Sequence, residues 1–123
     1  MSRAALVTGG SGGIGRAICR KLAQDGFDVA VHYRGNATEA EAVCEQIREL
    51  GQAALAIQAD LTDSKECARL VETCVQQLGG LEIALGHHRL HGVELHLGRL
   101  AAHRNAQLVA DHLVGDLVHY LGD

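Results

Sequence analysis

Short apolar runs alternate with longer amphipathic segments over the first two thirds of the chain. The first run, Ala4 to Thr8, ends at a glycine-rich stretch, as a buried strand entering a tight turn would. From Ile14 to Asp25 apolar positions recur every three or four residues, which predicts a helix that Gly26 ends. The predicted buried positions of this helix are Ile14, Ala17, Ile18 and Leu22.

The same alternation then recurs along the chain. A second strand is predicted over Val29 to Val31, and a second helix begins near Thr38, where Glu41 three residues later completes a capping box. Gly51 ends this second helix. The remaining predicted elements are a strand over Ala53 to Ala59, a helix that begins at Asp63 or Ser64 and ends at Gly79, and a strand over Leu81 to Leu85.

The strict alternation of strands and helices predicts an α/β fold. Each helix must pack back on the sheet, so we expect parallel strands joined by right-handed crossovers. The expected architecture is a partial Rossmann fold, a doubly wound parallel sheet of about four strands. Residues 1–85 would form this unit, and residues 86–123 would form a divergent, histidine-rich tail.

The tail differs in composition from the residues before it. Seven of the eight histidines in the chain lie between His87 and His119. The spacing of apolar positions from Arg99 to Leu121 is compatible with one amphipathic helix, although Gly115 weakens it, and disorder is the alternative.

Three histidines at the start of the tail raise the question of a metal site. A helical turn would bring His88 and His91 together, and Glu94 could join them from the next turn. No cysteine lies nearby to complete the four ligands of a structural zinc site. We therefore interpret His87, His88 and His91 as solvated side chains and predict no metal.

Charge and hydropathy argue against several functional classes. The formal net charge is -4 and there is no basic run, so nucleic acid is not an expected partner. No apolar run approaches the roughly 20 residues that cross a bilayer, and the start does not resemble a signal peptide, so we expect a cytoplasmic protein. The four scattered cysteines all fall in predicted helices, where we expect buried, reduced thiols.

The candidate ligand site is the glycine-rich stretch between the first strand and the first helix. Glycines allow positive φ angles and close approach of a ligand, while free N–H groups and the helix dipole attract a diphosphate. We expect the unblocked amides of the Gly9 to Gly15 bend to receive the diphosphate of a dinucleotide. The Ser11 hydroxyl would be an additional donor.

This stretch resembles the glycine loop of the short-chain dehydrogenase/reductase family, whose pattern is Thr-Gly-x-x-x-Gly-x-Gly. The residues that match this pattern are Thr8, Gly9, Gly13 and Gly15, and Ile14 is the residue common in the family at its position. Asp60 and Leu61, after the third predicted strand, look like the family's adenine-contacting pair. The similarity covers residues 3 to about 84 and has the character of the 3-oxoacyl-carrier-protein reductases. It implies an oxidoreductase that binds a nicotinamide dinucleotide.

The end of the second strand bears on the choice of coenzyme. NAD sites usually place a carboxylate there to hold the ribose 2′-hydroxyl, whereas this chain has Tyr33. The next residue, Arg34, could hold the 2′-phosphate of NADP through charge-assisted hydrogen bonds. We therefore expect NADP(H) to be preferred over NAD(H).

The family's catalytic residues have no counterparts in this sequence. The resemblance implies a serine and a Tyr-x-x-x-Lys pair, but no serine follows Ser64 and no lysine follows Tyr120. We therefore expect an NADP(H)-dependent oxidoreductase that lacks its catalytic half and cannot turn over alone. The alternatives are a non-catalytic dinucleotide-binding module and a fragment that associates with itself or with full-length reductase subunits through an exposed sheet edge. A change of exon or reading frame after residue 84 would explain the altered tail.

Overall fold

One parallel β-sheet with helices on both faces makes up residues 3–81, 83–85 and 107–108, which are the residues that the computed structural model describes. The five strands are β1 Arg3–Val7, β2 Phe27–Tyr33, β3 Ala54–Gln58, β4 Ile83–Leu85 and β5 Gln107–Leu108. The three helices are α1 Gly13–Gln24, α2 Ala37–Glu49 and α3 Ser64–Leu78. None of these helices is long and apolar enough to cross a membrane.

The order of the strands creates a crevice beside the end of β1. The chain runs outward from β1 to β2 and β3, then returns to the other side of β1 as β4, in the spatial order β3, β2, β1, β4, β5. The predicted doubly wound α/β fold is confirmed. Ligands of open parallel sheets bind at the carboxyl ends of the strands where such a reversal occurs. The turn that follows Val7 therefore lies where a ligand is expected.

Two apolar clusters hold the helices against the sheet. The cluster on the face of α1 and α2 includes Val7, Ile18, Leu22, Val29 and Ile47. On the opposite face, Leu70 of α3 packs with Leu6 and Ala30. Neighbouring residues of β1 thus contribute to opposite clusters, because successive side chains of a strand point to opposite faces and both faces are covered.

The buried face of α1 differs from the predicted one. Of the four predicted positions, Ile18 and Leu22 are buried, whereas Ile14 and Ala17 are exposed, so the prediction is wrong for these two. The helix is rotated so that small residues close to the sheet complete its buried face, which allows a close approach of helix and strand. These small residues are Gly15, Cys19 and Ala23.

The start of α2 also differs from the prediction. The side-chain oxygen of Asn36 accepts a hydrogen bond from the Glu39 N–H at 3.0 Å and caps the helix. Thr38 lies inside the first turn, where it cannot act as the cap. The predicted capping box of Thr38 and Glu41 is therefore wrong, because the helix begins two residues earlier than the box requires and Asn36 accepts from the free N–H of its first turn.

The fifth strand lies within the segment whose apolar spacing is compatible with one amphipathic helix, with disorder as the alternative. Gln107–Leu108 pairs in parallel with Ile83 and Ala84 of β4. A continuous helix over Arg99 to Leu121 is therefore wrong at these two residues, because pairing with the sheet overrides the local spacing. The rest of that segment and the histidines at the start of the tail lie outside the described residues.

Candidate functional site

Glycines at three positions shape the turn between β1 and α1. Gly9 has a φ of +65°, a left-handed conformation that favours glycine. Gly15, in the first turn of α1, lies so close to the turn that a Cβ there would overlap the Gly9 carbonyl oxygen. A Cβ at Gly13 would meet no protein atom within 4 Å. The fold itself thus requires glycine at positions 9 and 15, whereas Gly13 faces open space.

Hydrogen bonds inside the turn decide which amides remain for a ligand. The Gly9 N–H donates to Nδ1 of His32 at 3.0 Å, and the Gly10 N–H donates to the His32 carbonyl oxygen at 2.9 Å. The Gly12 N–H donates to the Gly9 carbonyl oxygen at 3.2 Å. The expectation that the whole Gly9 to Gly15 bend supplies unblocked amides is therefore wrong for these three, because the turn uses them to hold its own shape.

The first turn of α1 supplies the amides that the helix itself does not use. The Arg16 N–H donates to the Gly12 carbonyl oxygen at 2.7 Å and begins the helical ladder, so the amides of residues 13–15 have no acceptor within the helix. No side chain caps this end and no acidic residue lies in its first turn, whereas Asn36 and Asp63 cap α2 and α3. The positive end of the α1 dipole is thus suited to an anion.

A cavity of about 390 Å³ opens beside this turn. Gly9, His32 and Arg34 line one side of the cavity, and residues 59–62 line the other. The volume lies within the range of small-molecule sites. Four of the predicted ligand-binding residues therefore come together here, from three separate loops or strand ends. They are Gly9, Arg34, Asp60 and Leu61.

Hydrogen bonds fix the carboxylate of Asp60 in this cavity. Its Oδ1 atom accepts from the Thr62 N–H at 3.0 Å and from the Thr62 hydroxyl at 2.7 Å. The hydroxyl bond, the amide bond and the charge of the nearby Arg34 guanidinium together lower the pKa of Asp60 below its usual value. At neutral pH the cavity therefore offers a carboxylate acceptor and a cationic donor side by side.

His32 also lines this cavity, although it is not among the ligand-binding residues predicted from the sequence. Its side chain is 4% exposed, and its Nε2 atom lies 2.9 Å from the Ala59 carbonyl oxygen while Nδ1 accepts from Gly9. The signal that could have found it is a polar residue directly after the apolar run Val29 to Val31 in a strand with both faces covered. Such a side chain needs hydrogen-bond partners when the strand is buried.

The remaining predicted residues are not among those that line the cavity. Tyr33 is half-buried and packs against the apolar cluster on the face of α1 and α2. Thr8 is fully buried at the end of β1, and Ser11 is half-exposed in the turn. Ile14 is 48% exposed, which leaves a large apolar side chain in the first turn of α1. That exposure suits contact with a ligand better than packing in a core.

The cysteines lie in the core, where the Cys67 thiol donates to the Leu61 carbonyl oxygen at 3.4 Å and the Cys19 thiol donates to the Gly10 carbonyl oxygen at 3.9 Å. All four are buried and reduced, as predicted. Burial raises the pKa of Cys74 to about 12 and that of Cys44 to about 11, so thiolates are scarce at neutral pH. Across the described residues, no cluster of three or more histidine, cysteine or acidic side chains could hold a metal ion.

Comparison with known proteins confirms the resemblance expected from the glycine stretch. Residues 3–85 match the sequence model of a family described as short chain dehydrogenase. The chain is 42% identical over 87 residues to the 3-oxoacyl-(acyl-carrier-protein) reductase FabG of Staphylococcus aureus, and the match covers 71% of this chain and 35% of that protein. The chain thus spans about a third of the length of this curated relative.

Solved structures give the same result. A short-chain dehydrogenase/reductase from Serratia marcescens matches with a TM-score of 0.67 and 38% identity, over 71% of this chain and 36% of that one. A blue fluorescent protein from a metagenomic library, solved in complex with NADPH, matches with a TM-score of 0.64 and 40% identity. That match covers 68% of this chain and 34% of the other.

Proposed function

Since the chain belongs to the short-chain dehydrogenase family, we propose that its first 85 residues bind NADP(H) as the coenzyme-binding part of a reductase resembling the 3-oxoacyl-(acyl-carrier-protein) reductases. The observation that carries this proposal is the uncapped start of α1 beside a cavity that contains Arg34. The amides of residues 13–15 would receive the diphosphate, and the cavity would receive the adenosine end of the coenzyme.

Arg34 supports the choice of NADP(H) over NAD(H). It directly follows Tyr33, the last residue of β2, where an NAD site would have a carboxylate. Its guanidinium would donate to the 2′-phosphate, which carries close to two negative charges at neutral pH. Asp60, held ionised through Thr62, would accept from the adenine amino group through the oxygen that Thr62 does not use.

The proposed role of these 123 residues is coenzyme binding without hydride transfer. The family's chemistry uses a tyrosine that passes a proton and a lysine that lowers its pKa, and this sequence has no Tyr-x-x-x-Lys segment and no serine after Ser64. None of the residues that line the cavity replaces that pair. The match to a third of a reductase also supports a binding role for this part.

Calorimetric titration of the folded protein with NADPH and with NADH tests the proposal. We expect saturable binding of both coenzymes, with the tighter affinity for NADPH. A parallel assay would follow NADPH absorbance in the presence of a short 3-oxoacyl thioester and should show no oxidation above the rate without protein. Folded protein that binds neither coenzyme would contradict the binding proposal, and steady oxidation of NADPH would contradict the absence of hydride transfer.

A further inference from the structure

The imidazole of His32 joins the two sides of the cavity. Its Nδ1 atom accepts from the Gly9 N–H at 3.0 Å, where the turn into α1 begins. Its Nε2 atom lies 2.9 Å from the carbonyl oxygen of Ala59, the residue directly before Asp60. His32 as a residue is 4% exposed, so water does not readily replace these partners. One side chain therefore connects the turn at the proposed diphosphate site to the end of β3 at the proposed adenosine site.

Together, the hydrogen bonds to Gly9 and Ala59 require one protonation state of the ring. A backbone N–H can only donate, so Nδ1 facing Gly9 must carry a lone pair. A carbonyl oxygen can only accept, so Nε2 facing Ala59 must carry the proton. The ring is thus neutral, with its proton on Nε2. A second proton on Nδ1 would place two N–H groups against each other at 3.0 Å and break the bond to Gly9.

We propose that His32 is a positioning residue for the coenzyme, holding the turn at Gly9 to the end of β3 in its neutral form only, so that NADPH affinity falls when the ring becomes protonated. This inference rests on the proposed function. His32 does not need to touch the coenzyme, because the Gly9 turn that it anchors leads directly into the first turn of α1.

The charged groups around the ring do not titrate in the same pH range. Arg34, which follows β2, contributes a guanidinium, and the pKa of Asp60, which follows β3, is lowered mainly by the Thr62 hydroxyl. The turn into α1 contributes no titratable side chain between Gly9 and Gly15. From α3, burial raises the pKa of Cys67, and the Arg69 guanidinium lowers the pKa of Glu66. The ring of His32 is thus the cavity group whose ordinary titration range lies between about pH 5 and pH 8.

Two variants with amide side chains test the two hydrogen bonds of the ring one at a time. His32→Asn places an oxygen near the position of Nδ1, so it can accept from Gly9 and cannot titrate. His32→Gln places its amide near the position of Nε2, so it can donate to Ala59 and leaves the Gly9 amide without its acceptor. Each variant should fold, because each keeps one of the two partners.

The test is the dissociation constant of NADPH measured by calorimetry from about pH 8 to about pH 5.5 for the wild type and both variants. The 2′-phosphate itself titrates near pH 6 and contributes equally to all three proteins. We expect the wild type to lose about tenfold more affinity than His32→Asn over this range. At about pH 8, His32→Gln should bind about fivefold or more weakly than His32→Asn, since its Gly9 amide has no partner.

Nitrogen NMR of the wild-type ring gives a second readout that needs no variant. Neutral His32 should show the proton on Nε2, and saturating NADPH should move the pH midpoint of ring protonation downward, because coenzyme binding and the neutral ring favour each other. A purely electrostatic effect of the coenzyme's phosphates would move that midpoint upward.

The outcomes separate this inference from the proposed function. Wild-type protein that is folded and does not bind NADPH at about pH 8 overturns both. If the wild type binds NADPH but His32→Asn shows the same pH dependence of binding, the role of His32 is overturned and the proposed function stands. The same holds if NADPH leaves the pH midpoint of ring protonation unchanged or moves it upward.

Discussion

Replacing Arg34 by alanine should weaken NADPH binding and leave NADH binding almost unchanged. Arg34 is an exposed residue that lines the cavity with Asp60, and the charge of its guanidinium acts on that carboxylate. Only NADPH carries the 2′-phosphate that the guanidinium would contact in the proposed complex. The substitution therefore removes an interaction that one coenzyme makes and the other lacks.

The exposure of Arg34 sets the expected size of the effect. Hydrogen bonds to charged groups contribute about 1.5–3 kcal/mol, and solvent around an exposed side chain reduces this value. A loss of about 1–2 kcal/mol corresponds to a rise of about 5- to 30-fold in the dissociation constant of NADPH. The dissociation constant of NADH should change by less than about twofold, because its ribose hydroxyl carries no charge.

Calorimetric titrations of the wild type and Arg34→Ala with both coenzymes measure this difference. Arg20→Ala is the matched control, because it removes the same charge from an exposed position of α1 that lines a different groove, beside Gln24 and Gln46. Arg20→Ala should leave both affinities within about twofold of the wild type. Equal losses for NADPH and NADH in Arg34→Ala, or a matching loss in the control, would refute the assignment of Arg34 to the 2′-phosphate.

Three further predictions concern the turn, the cavity and the core. Gly15→Ala should lower the free energy of unfolding, measured in urea, by about 1–3 kcal/mol, since its Cβ would overlap the Gly9 carbonyl oxygen. Gly13→Ala, whose Cβ would meet no protein atom within 4 Å, should unfold like the wild type and bind NADPH more weakly. The reverse pattern would contradict this view of the turn. Thr62→Ala should be less stable than the wild type at neutral pH, with the gap closing as pH falls below about 4, because the lowered pKa of Asp60 stabilises the fold only while the carboxylate is ionised; a gap independent of pH would oppose this. Ellman's reagent should label the four cysteines only after unfolding, and fast labelling of the native protein would contradict their burial.

The sequence was sufficient to predict the alternating elements, because their signals are local. The glycines around Gly9 to Gly15 and the apolar runs on either side predict a strand, a turn and a helix in the order observed. The coming together of Arg34 and Asp60 could also be expected, since both follow adjacent parallel strands whose carboxyl ends meet at one edge.

The features that the sequence did not reveal depend on packing between elements. Ile14 has helical spacing with Ile18, yet it is exposed because Gly15 allows α1 to approach the turn with its other side. The role of His32 appears only when β2, the turn and the end of β3 are assembled around it. The two residues of β5 have too little local pattern to be distinguished from a helix before they pair with β4.

Backbone amide NMR of the uniformly nitrogen-15-labelled protein, titrated with NADPH, tests most directly whether the start of α1 receives the diphosphate. The amide resonances of Gly13, Ile14 and Gly15 should shift saturably, with one dissociation constant, whereas that of Glu39 at the capped start of α2 should stay in place. A well-dispersed spectrum in which the resonances of residues 13–15 do not move at saturating NADPH would contradict this.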